Sequence, residues 1–311
     1  MSKMAAKCVN LLTMLIDLKP QVRLYAILAR EANRAVVFRR GPSKRVQLLL
    51  WHTDTDEFEE GQWFKGRIYE RRSDLSPSGK LLVYFAADYK KRYFSWTAVS
   101  KPPFLTALAL WPKGDCWGGG GHFENEDVLQ LNHPDGQRQL AEGFDLPRKF
   151  QTKPLGKYSG GGEDFPIEDL RLVRDGWKLL EAGKAIQHDS SDPVWIEYDP
   201  PIVYSKRDAR AHGRYELQMC LHGICERDGP WYIIEHIVKD TKNGSSVSLG
   251  RADWADWCHS GDLLFANYGR LFRLGFSDGV LNELTNAKLL IDLNDRTFTE
   301  LAPTVEAKQW D

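Results

Sequence analysis

The sequence has few cysteines and lacks the pattern that a disulfide-rich secreted protein would show. Its five cysteines are odd in number and irregularly spaced, and none of them belongs to a Cys-x-x-Cys pair. Disulfide frameworks use even numbers of cysteines, whereas reducing compartments keep thiols free. The cysteine usage therefore favours a cytoplasmic protein over a disulfide scaffold.

Long apolar runs and an excess of one charge are also missing. No stretch approaches the roughly 20 continuous apolar residues that a transmembrane helix needs. The 42 basic and 43 acidic side chains leave a formal net charge of −1, so the overall charge does not attract the chain to nucleic acid or to an anionic membrane. We therefore expect no membrane association, and nucleic acid remains only an alternative partner.

The N-terminus carries apolar residues at helical spacing. The apolar positions between 11 and 18 recur near a 3.6-residue period, as they do in an amphipathic helix. Polar residues interrupt this run and no small-residue cleavage site follows, so a secretory signal does not fit. The sequence predicts a short helix over residues 1–20, ended by Pro20, and a single domain over residues 21–311.

The rest of the chain contains a repeated turn. Residues 72–84 have the pattern of a strand, a Pro/Gly turn and a second strand, and residues 254–266 are a diverged copy. The copies align when Gly79 is placed on Gly261, and the offset of 182 residues (261 − 79) equals four steps of about 45. One four-stranded propeller blade has this length.

Similar turns occur before and between the two copies. Steps of 46 residues from Gly79 reach Asn33 and Asn125, each in a polar turn that precedes an apolar run. Less regular steps reach turns near positions 176 and 213. These turns predict successive four-stranded sheets in a closed ring, which would remove exposed sheet edges. We expect six blades, with five or seven as alternatives.

The segment around Gly79 carries a family resemblance. Residues 74–83 (DLSPSGKLLV) are similar to the Asp-x-Ser-Pro-x-Gly-x-x-apolar signature of WD40-like β-propeller blades of the TolB type. In the second copy, residues 256–265, His259 replaces the proline. The resemblance implies an all-β propeller. It implies no particular activity, because propellers host scaffolds, receptors and enzymes alike.

Individual strands can be predicted best near the start of the domain. Four β-type runs lie between residues 24 and 64, and a later run covers residues 170–174. Between residues 137 and 165, prolines and a run of glycines predict a long irregular loop or insertion.

Three residues offer a candidate zinc site, namely Cys220, His222 and Cys225. In a strand, Cys220 and His222 face the same side, whereas Cys225 has the opposite parity unless Gly223 breaks the alternation. Free cysteines are also commonly buried as small apolar residues. We therefore expect no metal, and no motif indicates another cofactor.

Residues 117–121 (WGGGG) are rich in glycine but lack the Gly-Lys-Ser/Thr sequence of a phosphate-binding P-loop. We expect these glycines to allow close backbone approach, with Trp117 and His122 as candidate contacts for a ligand.

No residue pattern identifies catalysis. The carboxylates that could serve as an acid–base pair are Asp74, Glu168, Asp169, Asp253 and Asp256. Asp74 and Asp256 occupy equivalent positions of the repeat, which indicates hydrogen bonding at the turn. No Gly-x-Ser-x-Gly elbow is present. We assign no catalytic residue and do not expect an enzyme.

Eleven tryptophans and eleven tyrosines exceed what a core needs, and aromatic and arginine side chains are typical anchors of interfaces. We predict a non-catalytic scaffold that binds a protein partner. The resemblance adds the expectation of a subunit in a bacterial regulatory or defence complex. The candidate binding residues are Trp63, Arg71, Arg72, Trp117, His122, Trp177 and Trp231.

Two alternatives remain open. The first is a propeller that binds a carbohydrate or another small polar ligand in its central funnel, with or without glycan chemistry. The second is a nucleic-acid-binding accessory protein, because basic and aromatic residues alternate near residues 38–45 and 89–94.

Overall fold

The structure, a computed structural model, describes residues 22–157, 159–189, 191–208, 213–276 and 286–311. The helix predicted for residues 1–20 lies outside the described residues. Strands make up 48% of the chain and helices 6%, which confirms the all-β prediction. No helix among the described residues is long and apolar enough to cross a membrane.

Five sheets of three to six strands follow one another along the chain. Sheet A contains β1 (Arg23–Leu28), β2 (Arg34–Arg40), β3 (Arg45–His52) and β4 (Glu57–Lys65). Sheet B contains β5 (Arg67–Leu75), β6 (Leu82–Ala87), β7 (Ser95–Ser100) and β8 (Ala109–Pro112). Sheet C contains β9 (Gly121–Phe123), β10 (Val128–Leu131) and β11 (Gln151–Pro154).

Sheet D contains β12 (Lys178–Ala182), β13 (Ala185–Gln187), β14 (Val194–Arg207), β15 (Tyr215–Glu226), β16 (Tyr232–Asp240) and β17 (Ser246–Gly250). Sheet E contains β18 (Trp254–Trp257), β19 (Leu263–Asn267), β20 (Arg270–Leu274) and β21 (Lys288–Asp292). One α-helix, α1 (Phe165–Arg174), lies between sheets C and D in the described chain, and short 3-10 helices cover Asp135–Gln137 and Glu306–Lys308. The segment between residues 137 and 165 contains one strand, β11, which pairs in parallel with β10.

The repeated turns of the sequence join the first and second strands of four sheets. Asn33, Gly79, Asn125 and Gly261 lie in the connections β1–β2, β5–β6, β9–β10 and β18–β19. Gly79 and Gly261 have φ angles of 74° and 80°, a left-handed conformation that glycine adopts without steric cost. The two less regular matches differ, because position 176 follows α1 and position 213 lies between β14 and β15.

The strand expected at residues 170–174 is wrong, because this segment is the second half of α1. Pro166 lies in the first turn of the helix, where the missing N–H costs nothing. The buried positions 167, 168, 171 and 172 have helical spacing. Gly176 follows the C-terminus of the helix with a φ of 90°, as is common after helices.

Adjacent residues of central strands point into different hydrophobic cores. In β2, Val36 packs in a core between sheets A and B, whereas Val37 packs in a core between sheets A and E. In β6, Leu82 belongs to the core of sheets A and B, and Val83 belongs to a core between sheets B and C. Both faces of these sheets are covered, which explains why the strands are continuous apolar runs. Burial of each such side chain contributes about 1.5–3 kcal/mol.

A fourth core lies between sheets D and E, where Leu217 packs with Leu263. Leu172 of α1 and Trp177 also belong to this core, and α1 contacts β5 and β9. The helix therefore links sheets B and C to sheet D.

Candidate ligand site

Two cavities lie where the first strands of sheets A, B and E approach one another. The first has a volume of about 250 Å³ and includes the start of β1 and of β5 and the β15–β16 turn. The second has a volume of about 510 Å³ and includes the end of β1, α1 and β18. Tyr25, Arg71 and Asp253 line both cavities. These three residues are called the junction below.

Arg71 is held in the junction by an acid and by aromatic rings. Its Nη1 donates a short hydrogen bond to Oε1 of Glu168 in α1. Its guanidinium lies 4.5 Å from the ring centre of Tyr232 and 5.2 Å from that of Tyr25. The side chain is mostly buried, so the ion pair and the two cation–π contacts act with little screening by water.

Asp253 is the titratable group of the junction. Its Oδ2 accepts a hydrogen bond from the N–H of Leu24 at 3.2 Å. Burial raises the pKa of Asp253 to about 7, although the backbone of Leu24 and the charges of Arg23 and Arg40 act in the opposite direction. Near neutral pH the carboxyl group therefore exists in both protonation states and can donate or accept a hydrogen bond.

Arg72, a predicted binding residue, has a structural position instead. It is 2% exposed, and its Nε donates to Oδ1 of Asp164 at 2.6 Å. Its Nη1 donates to the carbonyl oxygens of Cys116 and Gly118 at 2.7 Å each. Tyr232 donates to Oδ2 of the same Asp164 at 2.7 Å. Arg72 thus ties β5 to the loop before β9 and to the start of α1.

The two acids of the repeat have different partners. Asp74 is fully buried, and its Oδ2 accepts the N–H of Phe123 at 2.8 Å and Nη1 of Arg174 at 2.6 Å. Burial alone would raise the pKa of Asp74, but the Arg174 guanidinium outweighs it and holds the pKa below its ordinary value. Asp256 instead accepts Nζ of Lys206 at 2.6 Å. Both acids are structural, and their main partners lie on other elements rather than in the turn.

The structure brings three of the predicted binding residues to the cavities. Arg71 lies in the junction, Trp231 lines the first cavity and Trp177 lines the second. Trp231 and Arg71 come together because the β15–β16 turn reaches the start of β5. Trp177 is 4% exposed and is also part of the core of sheets D and E.

The other candidates lie elsewhere. Trp63 packs against Phe298, with ring centres 6.2 Å apart, and Trp117 is 59% exposed outside both cavities. His122 is 7% exposed, and neither ring nitrogen has a hydrogen-bond partner among the described residues. Burial lowers the pKa of His122, so the ring is neutral at physiological pH.

The glycine run before β9 serves close packing. The N–H groups of Gly119 and Gly120 donate to the carbonyl oxygen of Asn132 and to Oγ1 of Thr97, both at 2.8 Å. A Cβ atom on Gly119 would lie 2.3 Å from the ring of Phe85. These amides are therefore occupied and cannot cradle an anion, in agreement with the expected backbone approach.

The candidate zinc residues lie along β15. The strand has a bulge between Leu221 and Gly223, which breaks the alternation at the position that the sequence allowed. Cys220 is buried and Cys225 is partly buried. In the described part of the chain, no group of three or more His, Cys, Asp or Glu residues could hold a metal ion.

Sequence reasoning missed Tyr25, Asp164 and Tyr232. A usable signal was present in β5, where three charged residues, Glu70, Arg71 and Arg72, follow one another in a strand. Consecutive charges inside a buried strand indicate an interior polar site.

Comparison of the sequence with protein-family models and with curated proteins gave no match. The interpretation of the junction and its two cavities therefore follows from their geometry and chemistry alone.

Proposed function

We propose that the five sheets form a closed ring, a five-bladed β-propeller, whose central cavities bind a small polar ligand. Cores between sheets E and A, A and B, B and C, and D and E support this ring. Helix α1 supplies the remaining link from sheets B and C to sheet D. Five sheets among the described residues favour five blades over the six expected from the repeat spacing.

The observation that carries the ligand-binding proposal is the junction itself. Arg71 and Asp253 are charged or titratable groups that line two cavities, and a small number of convergent polar groups in a pocket is typical of a small-molecule site. A cavity of about 250 Å³ is near the lower end of ligand pockets, which span about 300–1,000 Å³. The first cavity thus suits a molecule of the size of a monosaccharide.

A thermal-shift screen of monosaccharides and small metabolites tests this proposal. A ligand at 100 times its Kd stabilises the folded state by about 2.7 kcal/mol. For 311 residues, an unfolding entropy of about 2.1 cal/mol/K per residue converts this to a rise in Tm of about 4 °C. We expect Asp253→Asn and Trp231→Ala to abolish the shift.

The matched controls are Asp292→Asn and Trp195→Ala, because both residues lie outside the two cavities. These variants should keep the full shift. A ligand that stabilises the junction variants as strongly as the controls would place binding elsewhere and contradict the proposal.

A protein-binding scaffold is the second candidate, and an exposed apolar surface favours it. β12 is an edge strand of sheet D, and all five of its residues are exposed. Leu179 and Leu180 of this strand are 51% and 53% exposed, and Val173 of α1 is 66% exposed. Tyr204, which pairs with Leu179, donates to Oδ1 of Asp169 at 2.9 Å. Because paired residues of adjacent strands share a sheet face, Leu179 lies on the same face as Tyr204, on the side of α1, whereas Leu180 points to the opposite face.

Affinity capture with matched variants tests the scaffold role. A protein partner recovered in stoichiometric amount should be lost with Val173→Asp combined with Leu179→Asp. The control is Leu289→Asp on β21, a leucine that is 49% exposed on another sheet. If the unmodified protein, the double variant and the Leu289→Asp control all recover equal amounts of the partner, this surface is not the docking site.

A further inference from the structure

The first cavity is rich in guanidinium groups. Its lining includes Arg23, Arg40, Arg67, Arg71 and Arg251. Four acids line the same cavity, and they are Glu70, Asp164, Glu226 and Asp253. The pairing of these charges decides which of them can meet a ligand.

Most of these charges already have partners. Arg40 donates a short hydrogen bond to Oε1 of Glu70, and Arg251 lies 2.8 Å from Oε2 of Glu226. Asp164 is occupied by Arg72 and Tyr232, and Arg71 pairs with Glu168, which lines only the second cavity.

Two arginines remain without an ion pair. Within the described part of the chain, no carboxylate lies within salt-bridge distance of Arg23 or Arg67. The guanidinium of Arg67 lies 4.5 Å from the ring centre of Tyr69. The cavity therefore has positive charge to offer to an anionic group.

Two buried polar atoms of β5 identify the complementary groups. Nε of Arg67 has no acceptor, and Oε2 of Glu70 has no donor, among the described residues. Buried polar atoms of folded proteins normally have a partner. A ligand that satisfies both must bring an acceptor for Arg67 and a donor, such as a hydroxyl group, for Glu70.

We propose that the first cavity binds a small hydroxylated organic anion, such as a sugar acid, through Arg23, Arg67 and Glu70. This inference rests on the proposed ligand-binding function and specifies its ligand class. The anionic group contacts the unpaired guanidinium groups, and a hydroxyl group donates to Glu70. The ring of Trp231, which also lines the cavity, offers an apolar face for the carbon skeleton.

Isothermal titration calorimetry with three probes at constant ionic strength tests the ligand class. The probes are glucuronate, glucose and acetate, which separate the anionic group from the hydroxyl groups. We expect glucuronate to bind at least tenfold more tightly than glucose or acetate. Arg67→Gln should weaken glucuronate binding about tenfold, the loss expected for one charge-assisted hydrogen bond, and leave glucose binding unchanged.

Arg23→Gln provides a second site variant, because this side chain is exposed and its replacement spares the core. Arg270→Gln is the matched control, since Arg270 pairs with Asp292 outside both cavities. If glucose and glucuronate bind with equal affinity and Arg67→Gln changes neither, the anionic ligand class is refuted. The proposed ligand-binding function would still stand. If glucuronate shows no saturable binding up to about 10 mM, the anionic ligand class is also refuted. The proposed ligand-binding function itself is tested separately, by the thermal-shift screen with the Asp253→Asn and Trp231→Ala variants.

Discussion

Replacing Arg72 with methionine removes a guanidinium group that joins three parts of the molecule. It donates to Asp164 at 2.6 Å and to the carbonyl oxygens of Cys116 and Gly118 at 2.7 Å. Arg72 is 2% exposed, so water cannot readily replace the lost donors. Asp164 would keep only the hydroxyl group of Tyr232.

The expected loss is large relative to the total stability. Removal of one partner from a buried ion pair costs about 3–5 kcal/mol, and a folded domain has about 5–15 kcal/mol in total. We expect Arg72→Met to lower the free energy of unfolding by about 4 kcal/mol. For 311 residues, this corresponds to a fall in Tm of about 6 °C. Urea unfolding followed by tryptophan fluorescence measures the change.

The control and a second variant separate charge from packing. Arg270→Met breaks an exposed pair with Asp292 and should cost less than about 1 kcal/mol. Arg72→Met combined with Asp164→Asn removes the stranded charge and should recover part of the loss. If Arg72→Met costs no more than Arg270→Met, the inference that this pair anchors α1 to sheet B is wrong.

Two further predictions concern the pH dependence of stability and the glycine run. Because the pKa of Asp253 is raised to about 7 on folding, the folded state holds its proton at pH values where the unfolded state releases it. Stability should therefore fall as pH rises towards 7. In urea unfolding, Asp253→Asn should remove at most about 3 kcal/mol of the difference between pH 5 and pH 8, and an unchanged difference would contradict the raised pKa. Gly119→Ala should cost about 3 kcal/mol, because φ is 82° and the new Cβ would meet the ring of Phe85. Gly114→Ala, with a φ of 81° and no atom within 4 Å of its Cβ, should cost only about 1 kcal/mol, and equal costs would refute the packing argument.

The hairpins could be predicted because their signals are local. A left-handed glycine in a polar turn, followed by an apolar run, is encoded within about ten residues, and Gly79 and Gly261 both fulfil it. The strands of sheet A follow from continuous apolar runs. These runs reflect the burial of both sheet faces, as Val36 and Val37 illustrate.

Sheet D and helix α1 could not be predicted in the same way. The expected strand at residues 170–174 is part of a helix whose first turn contains Pro166, and a proline next to a glycine-rich segment is equally typical of an irregular loop. Strand β14 (Val194–Arg207) is also irregular, because its pairing with β15 shifts register between Glu197 and Ile202. The register of β14 is set by its partner strands β12, β13 and β15, and the local pattern of residues in β14 does not contain it.

The candidate site was only partly accessible to sequence reasoning for a related reason. Arg71 is conspicuous as a charge inside a strand, but its partner Glu168 lies 97 residues away, and Tyr25 and Asp253 are separated by 228 residues (253 − 25). Tyr25 and Arg71 belong to the first strands of sheets A and B, and Asp253 directly precedes the first strand of sheet E, whereas the second strand of sheet B, β6, is buried throughout. A centre that served stability alone would be at least as stable with apolar side chains, because desolvation offsets much of the attraction in a buried ion pair. The buried charges of the junction therefore fit the ligand-binding function proposed above better than a role in sheet packing alone.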